Sequence, residues 1–236
     1  MTDFLSPQEW AALSLSLKVS LWATVASLPF ALLAAWVLAR TRFVGHGLLN
    51  SIIHLPLVLP PVVVGYGLLV VFGRNGVVGS WLYEVLGVTI AFTWKGAAIA
   101  AAVMAFPLMV RAMRLSLESV DQNLEATAKT LGASPLRVFR TITLPLMLPG
   151  IVTGCVLAFA RALGEFGATI TFVSNIPGET RTLPLALYTL TQSPGGESSM
   201  LRLAALAVVV ALIALMASEL LARRLQNQIK GADAHD

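Results

Sequence analysis

The chain has 236 residues, of which 57% are hydrophobic and 12% are charged, and its formal net charge at pH 7 is +4. Soluble domains carry about 25% charged residues, so this composition excludes an ordinary water-soluble fold. We therefore predict an all-α integral membrane protein. The single cysteine, Cys155, excludes an internal disulfide and a metal site built from several thiolates.

Five segments have the length and apolar character that an α-helix needs to cross a bilayer. They are predicted at about 14–39, 48–72, 90–112, 145–173 and 201–222. Prolines and glycines in the second segment predict a distorted helix there. Short helices that do not span are expected between residues 73 and 88 and at 183–190, and the tail from 223 is expected to fray. The first ten residues lack the basic region of a signal peptide, so the first span is expected to stay in the protein.

Basic residues near the span ends predict the orientation of the chain. Ten of them fall on the side of the longest polar stretch, and four fall on the other side. Because cytoplasmic loops carry the excess of lysine and arginine, the N-terminus is predicted outside and the C-terminus inside. The basic residues are dispersed between apolar segments, so they indicate topology and not a nucleic-acid surface.

The longest polar stretch, residues 118–145, lies between the third and fourth predicted spans. Its first part, 118–131, favours helix because it contains no glycine or proline. Gly132 can end that helix, and Ser134 followed by Pro135 can begin a second one. An apolar stripe on the first helix is suited to a groove on a partner, and comprises Leu124, Ala128 and Leu131. The alternative is an ordinary amphipathic loop.

This stretch resembles the cytoplasmic coupling loop of ABC-importer permeases, which docks on the ATPase subunit. The residues that carry the resemblance are Ala126-Thr127-Ala128, Gly132, Ile142, Leu144 and Pro145, which match the family's Glu-Ala-Ala, Gly, Ile and Leu-Pro. At the family's glutamate position this chain has Ala126, and Glu125 lies one residue earlier. The resemblance implies ATPase coupling by Glu125, Ala126, Ala128, Leu131, Gly132, Ala133, Ser134 and Pro135, with the loop ending at Ile142, Leu144 and Pro145.

A narrower resemblance extends over residues 54–76, 101–121, 131–145 and 159–190, which look like the permease subunit of bacterial molybdate importers. Sulfate permeases are similar at FARALGEFG (159–167) but are usually longer, with a further N-terminal span. The resemblance implies the type I importer fold and a homodimer in the bacterial inner membrane. Its partners would be two ATP-binding cassette subunits, which hold ATP and Mg, and a periplasmic molybdate-binding protein. Tungstate or sulfate are alternative substrates.

Two charged residues, Arg161 and Glu165, lie one helical turn apart inside the fourth predicted span. Charges at that depth indicate function by default. Arg161 either attracts an oxyanion or neutralises Glu165 before the break at Gly164–Gly167. We favour the second interpretation, because a strong permanent anion site would slow substrate release. The candidate pathway residues are Arg161, Glu165, Gly167, Thr169, Thr171 and Ser174, although the hydroxyls among them are equally suited to ordinary contacts between helices.

Other chemistry has little support in the sequence. His46 and His54 have no second ligand at a helical offset, so no metal site is expected. The chain lacks the Gly-rich Lys-Ser/Thr signature of a phosphate loop, so it is not expected to hydrolyse ATP itself. An intramembrane enzyme is a distant alternative, since Arg161 and Glu165 form the only charged pair within the spans. A secondary transporter usually shows internal repeats, and we find none.

Overall fold

A computed structural model describes residues 5–232, and the regular elements in that range are helices. In chain order they are α1 (Pro7–Arg40), α2 (His46–Val58), α3 (Pro61–Phe72), α4 (Val77–Leu86), α5 (Trp94–Glu118), α6 (Gln122–Thr130), α7 (Pro135–Val138), a π-helical turn (Phe139–Thr143), α8 (Leu144–Leu163), α9 (Gly167–Val173), α10 (Leu183–Thr191) and α11 (Glu197–Ala232). The all-α prediction is confirmed. The short helices expected between spans correspond to α4 and α10.

Within residues 5–232, four helical stretches are long and apolar enough to cross a membrane, namely α1, α5, the run Pro135–Leu163 and the first part of α11. The pair α2–α3 becomes a fifth span if the two are counted together, although they are bent by 114° at Leu59–Pro60. Pro60 lacks an N–H and Pro61 begins the second helix, so a continuous helix cannot form there. The predicted distortion is therefore a break between two helices.

Several boundaries differ from the sequence-based expectation. The first helix begins at Pro7 and not near residue 14, and α5 continues to Glu118 and not to about 112. The fourth segment, expected over 145–173 with a break at Gly164–Gly167, is divided there into α8, which ends at Leu163, and the separate helix α9. The fraying expected over 223–236 is wrong as far as Ala232, to which α11 continues, and residues 233–236 lie outside the described residues. An apolar helix of this length extends past the bilayer, so its polar end need not unwind where the apolar residues stop.

The core of the bundle is formed by α1, α5 and α8, whose contacting faces are rich in small residues. Ala31 and Ala35 of α1 and Ala97 of α5 are fully buried. On α8, an added Cβ at Gly150 would overlap the Ser116 side chain of α5, so only glycine allows this approach. Small residues at the contacts are typical of helices that pack in a membrane, where close backbone approach supplies the packing energy.

A second close contact joins the broken span to α9. An added Cβ at Gly65 of α3 would lie 2.5 Å from the backbone oxygen of Ala168 on α9. The space around Gly67, two residues along the same helix, is open to at least 4 Å. Gly65 therefore sets the distance between α3 and α9, and Gly67 does not.

We expect Gly65→Ala to lower the thermal stability of the protein and Gly67→Ala to leave it unchanged or slightly raised. Overpacking costs about 1–3 kcal/mol, whereas alanine in place of an unconstrained helical glycine gains roughly 0.5–1 kcal/mol. The measurement is the unfolding midpoint of each variant in detergent. Equal midpoints for the two variants would show that α3 and α9 are not in close contact.

The two ends of the bundle are fixed by polar contacts between distant elements. At one end, Glu9 of α1 pairs with Arg202 of α11 at 3.1 Å, and the Leu183 N–H at the start of α10 donates to the Ser16 hydroxyl at 2.6 Å. At the opposite end of α1, Arg40 contacts the polar loop. The loop therefore lies at the end of the molecule away from the starts of α10 and α11.

Candidate functional site

The polar loop folds as two short helices joined by a tight turn, each with its own cap. Asp121 caps the start of α6 by accepting the Asn123 N–H at 2.8 Å. Ser134 caps α7, whose first residue is Pro135. The helix–turn–helix geometry proposed from the sequence is therefore present, with α6 starting four residues after the first residue expected because α5 continues to Glu118.

Gly132 forms the turn between α6 and α7. Its φ is +87°, in the left-handed region, and its N–H donates to Lys129 O while the Ala133 N–H donates to Ala128 O. These two bonds are the Schellman pattern that ends a helix at a glycine. A Cβ added to Gly132 would have open space around it, so the requirement for glycine comes from the backbone angle and not from crowding.

The outer surface of the loop carries exposed leucines. Leu124 is 50% exposed, Leu131 is 83% exposed and Leu136 is 66% exposed. Exposed apolar side chains that lie close together on a polar segment make it a candidate surface for contact with another protein. Leu124 and Leu131 belong to the stripe identified from the sequence, and Leu136 of α7 extends it, whereas Ala128 is half-buried. Ala126, Ser134 and Pro135 are also exposed, and Ala133 is half-buried.

Glu125 points inward, which the sequence did not reveal. Its Oε1 accepts a hydrogen bond from Arg40 Nη2 at 2.9 Å and from Thr143 Oγ1 at 2.7 Å. The Glu125 side chain is 15% exposed and the Arg40 side chain is 12% exposed. In the sequence, Arg40 stands out only as a basic residue at the end of a predicted span. Because Arg40 and Glu125 are 85 positions apart, no helical spacing or capping motif predicts their contact.

The end of the loop contains the π-helical turn. The Leu144 N–H donates to Phe139 O, five residues earlier, and Pro145 lies in the first turn of α8. Thr143 is buried, while Ile142 and Leu144 are half-buried. π-helical turns are rare and frequent at functional sites. This one brings the Thr143 hydroxyl to Glu125.

The intramembrane pair is formed. A guanidinium nitrogen of Arg161 pairs with Glu165 Oε2, and Glu165 Oε1 accepts the Ala168 N–H at 2.8 Å. The Glu165 side chain is 2% exposed, and that of Arg161 is 28% exposed. Glu165 thus both neutralises Arg161 and caps the start of α9 across the break that follows Leu163. This geometry favours the structural interpretation of the pair.

The hydroxyl candidates do not share one surface. Thr169 is buried, and Thr171 Oγ1 donates to Gly167 O within α9 at 2.9 Å. Ser174 is exposed at the end of α9, with φ at +64°. An added Cβ at Gly167 would lie 2.7 Å from the Pro61 side chain, so this glycine serves close packing with α3.

Among residues 5–232 no group of three or more His, Cys, Asp and Glu side chains is arranged to hold a metal ion. His46 Nε2 lies 3.0 Å from Leu38 O, and His54 Nδ1 lies 2.8 Å from Asn50 O. Each imidazole ring therefore has a backbone carbonyl as its partner, in α1 for His46 and in α2 for His54.

Comparison with known proteins gives matches over nearly the whole chain. The family model described as "Binding-protein-dependent transport system inner membrane component" matches residues 27–227. The chain is 64% identical over 219 residues to the molybdenum transport system permease protein ModB of Escherichia coli (strain K12), covering 93% of this chain and 96% of that protein. It is 55% identical over 228 residues to ModB of Haemophilus influenzae, covering 97% and 100%. The sulfate permease CysT of Salmonella typhimurium is 37% identical over 183 residues, covering 78% and 66%.

Solved structures share the fold at low identity. An inward-facing MetNI methionine ABC transporter chain has a TM-score of 0.66 and 16% identity, covering 92% of this chain and 94% of that one. A chain of a bacterial alginate ABC transporter, solved in complex with a pentasaccharide-bound periplasmic protein, has a TM-score of 0.68 and 19% identity, covering 96% and 81%. These chains support the ABC importer permease architecture.

Proposed function

Because the chain belongs to the family of binding-protein-dependent transport system inner membrane components, we propose that it is the transmembrane subunit of a molybdate ABC importer. It is a multi-pass protein of the bacterial inner membrane and moves molybdate into the cell. The observation that carries the proposal is the near full-length similarity to the E. coli molybdenum permease. The similarity to a sulfate permease is lower and covers less of both chains, which makes sulfate the weaker alternative.

The chain works with partners that supply energy and substrate. A second copy completes the pathway, two ATP-binding cassette subunits bind ATP and Mg, and a periplasmic binding protein delivers molybdate. The exposed leucines Leu124, Leu131 and Leu136 support docking of the loop on the ATPase subunit. ATP binding favours one of two conformations only through contacts that differ between them, and the loop supplies those contacts.

The orientation and the substrate pathway follow from this assignment. The N-terminus is outside, and the chain crosses the membrane near the five expected segments, with the second one broken at Leu59–Pro60 and the fourth ending at Leu163. Molybdate passes along the two-fold axis through transient contacts near α9, for which Thr171, Ser174 and the backbone at Gly167 are candidates. Hydroxyl and amide groups suit a dianion that must bind weakly enough to leave. Arg161 acts mainly as the partner of Glu165, as their geometry suggests.

The proposal is tested by complementation. The chain is expressed, with its own ATPase and binding protein, in an E. coli strain that lacks the molybdate permease. We expect cellular molybdenum at limiting external molybdate to return to the wild-type level, as measured by mass spectrometry. Molybdenum that stays at the level of the empty strain, despite membrane insertion and complex assembly, would contradict the proposal.

A further inference from the structure

We infer that Glu125 transmits the motion of the coupling helix within its own chain, as a positioning residue that ties α6 to the ends of α1 and α8. The inference rests on the proposed function, because it assigns the coupling route within that transporter. It is more specific than the ATPase coupling that the family resemblance implies for Glu125, because it assigns contacts within the same chain. The Glu125 carboxylate is turned toward Arg40 and Thr143 and not toward the exposed leucines.

The contacts of Glu125 join three separate elements. Arg40 lies in the last turn of α1, Glu125 lies in α6, and Thr143 closes the π-helical turn that leads into α8. One carboxylate oxygen accepts from both partners, at 2.9 Å from Arg40 Nη2 and 2.7 Å from Thr143 Oγ1. Charge-assisted hydrogen bonds of this kind are about twice as strong as neutral ones. A displacement of α6 therefore pulls on two helices of the bundle at once.

Apart from Glu125, the main contacts of α6 within the described residues are with α7 and the π-helical turn, its neighbours in the loop. None of the α6 residues is buried, and the Glu125 side chain is 15% exposed. Beside the pair lies a cavity of about 350 Å³ between α1 and the loop, lined in part by Trp36, Lys129 and Phe139. Since open space and not packed side chains separates the elements there, the polar contact of Glu125 is the mechanical link.

The two sides of α6 have different tasks. Glu125 faces the bundle, where its carboxylate contacts Arg40 and Thr143. Leu124 and Leu131, seven residues apart, are exposed and available to the ATPase. When ATP closes the ATPase subunits, their motion displaces α6 through the leucines. The Glu125 carboxylate then transmits that displacement to α1 and α8. Docking and transmission therefore depend on different residues of one helix, and they can be separated by mutation.

The test uses the full complex in proteoliposomes, with Glu125→Gln compared with Glu118→Gln. Glu118 is the matched control because it also pairs with an arginine, Arg114, on the same side of the protein, but its side chain is 41% exposed. For Glu125→Gln we expect normal co-purification of the ATPase subunit and a fall of about tenfold in molybdate transported per ATP hydrolysed, since breaking a shielded pair leaves Arg40 uncompensated. Glu118→Gln is expected to stay within about twofold of wild type.

A charge reversal and an exchange measurement complete the test. In Glu125→Gln the amount of molybdate transported per ATP hydrolysed is expected to fall. The double variant Arg40→Glu/Glu125→Arg is expected to recover at least part of that loss. Loss of ATPase co-purification in Glu125→Gln, or no recovery in the double variant, would overturn the inference. Hydrogen exchange of the α6 amides can be measured without substrate. The exchange rate should rise in Glu125→Gln and stay unchanged in Glu118→Gln. If wild type carries no molybdate, the proposed function fails, while unchanged α6 exchange in Glu125→Gln would refute the link itself.

Discussion

Gly132→Trp is expected to abolish ATP-driven uptake while membrane insertion stays normal, and Gly132→Ala is expected to reduce uptake by about tenfold. The φ of +87° at Gly132 lies in the left-handed region. A non-glycine residue there costs about 1–2 kcal/mol, which corresponds to a 5–30-fold change in the population of the turn. Tryptophan adds bulk beside the exposed leucines that we assign to ATPase docking.

The ranking of the Gly132 variants by remaining uptake identifies why uptake is lost. Open space surrounds an added Cβ, so crowding within the chain does not contribute to the effect of alanine. Asparagine tolerates the left-handed region better than alanine does, so Gly132→Asn should keep more uptake than Gly132→Ala. Gly87→Ala is the matched control, because Gly87 also has a positive φ and open space but ends α4, away from the loop. Normal uptake by Gly132→Trp would contradict the docking assignment.

Neutralising Arg161 is expected to destabilise the protein by about 3–5 kcal/mol, since the buried charge of Glu165 is left without its partner. Neutralising Glu165 should cost less, because the Arg161 side chain that it leaves unpaired is 28% exposed. Glu165→Ala should be worse than Glu165→Gln, because glutamine keeps an oxygen that can accept the Ala168 N–H. The measurements are the unfolding midpoint in detergent and the uptake of the same preparations.

Reversing both charges should restore the ion pair but not the cap, because an arginine at position 165 cannot accept the Ala168 N–H. We therefore expect the double variant Arg161→Glu/Glu165→Arg to recover part of the stability that the single neutralisations lose. A stable Arg161→Gln protein that fails to transport, with no recovery in the double variant, would instead place Arg161 in contact with the substrate.

The features predictable from the sequence are those that depend on neighbouring residues. Gly132 followed by Ser134 and Pro135 specifies the turn and the start of α7, because each residue acts on its own backbone. Pro60 and Pro61 predict the interruption of the second span for the same reason. The ion pair of Arg161 with Glu165 is also local, since the two residues lie one helical turn apart.

The features that sequence reasoning missed depend on tertiary contacts. The Arg40–Glu125 contact joins residues 85 positions apart, and the Ser16 hydroxyl accepts the Leu183 N–H across 167 positions. No periodicity or cap signal connects such pairs. The break at Gly164–Gly167 was expected within the fourth span, but the separate helix α9 after it was not, because hydropathy cannot register that Glu165 folds back to accept the Ala168 N–H. The register of α6 shifted because α5 continues past the apolar residues.

The central claim is that this chain carries molybdate when ATP is hydrolysed by its partner, and uptake of labelled molybdate into proteoliposomes tests it most directly. The liposomes contain this chain, its ATPase and its binding protein, with excess tungstate or excess sulfate as competitors. We predict ATP-dependent uptake that persists in excess sulfate, and inhibition by tungstate would show that the two oxyanions share the pathway. No molybdate uptake by a complex that carries sulfate would contradict the claim.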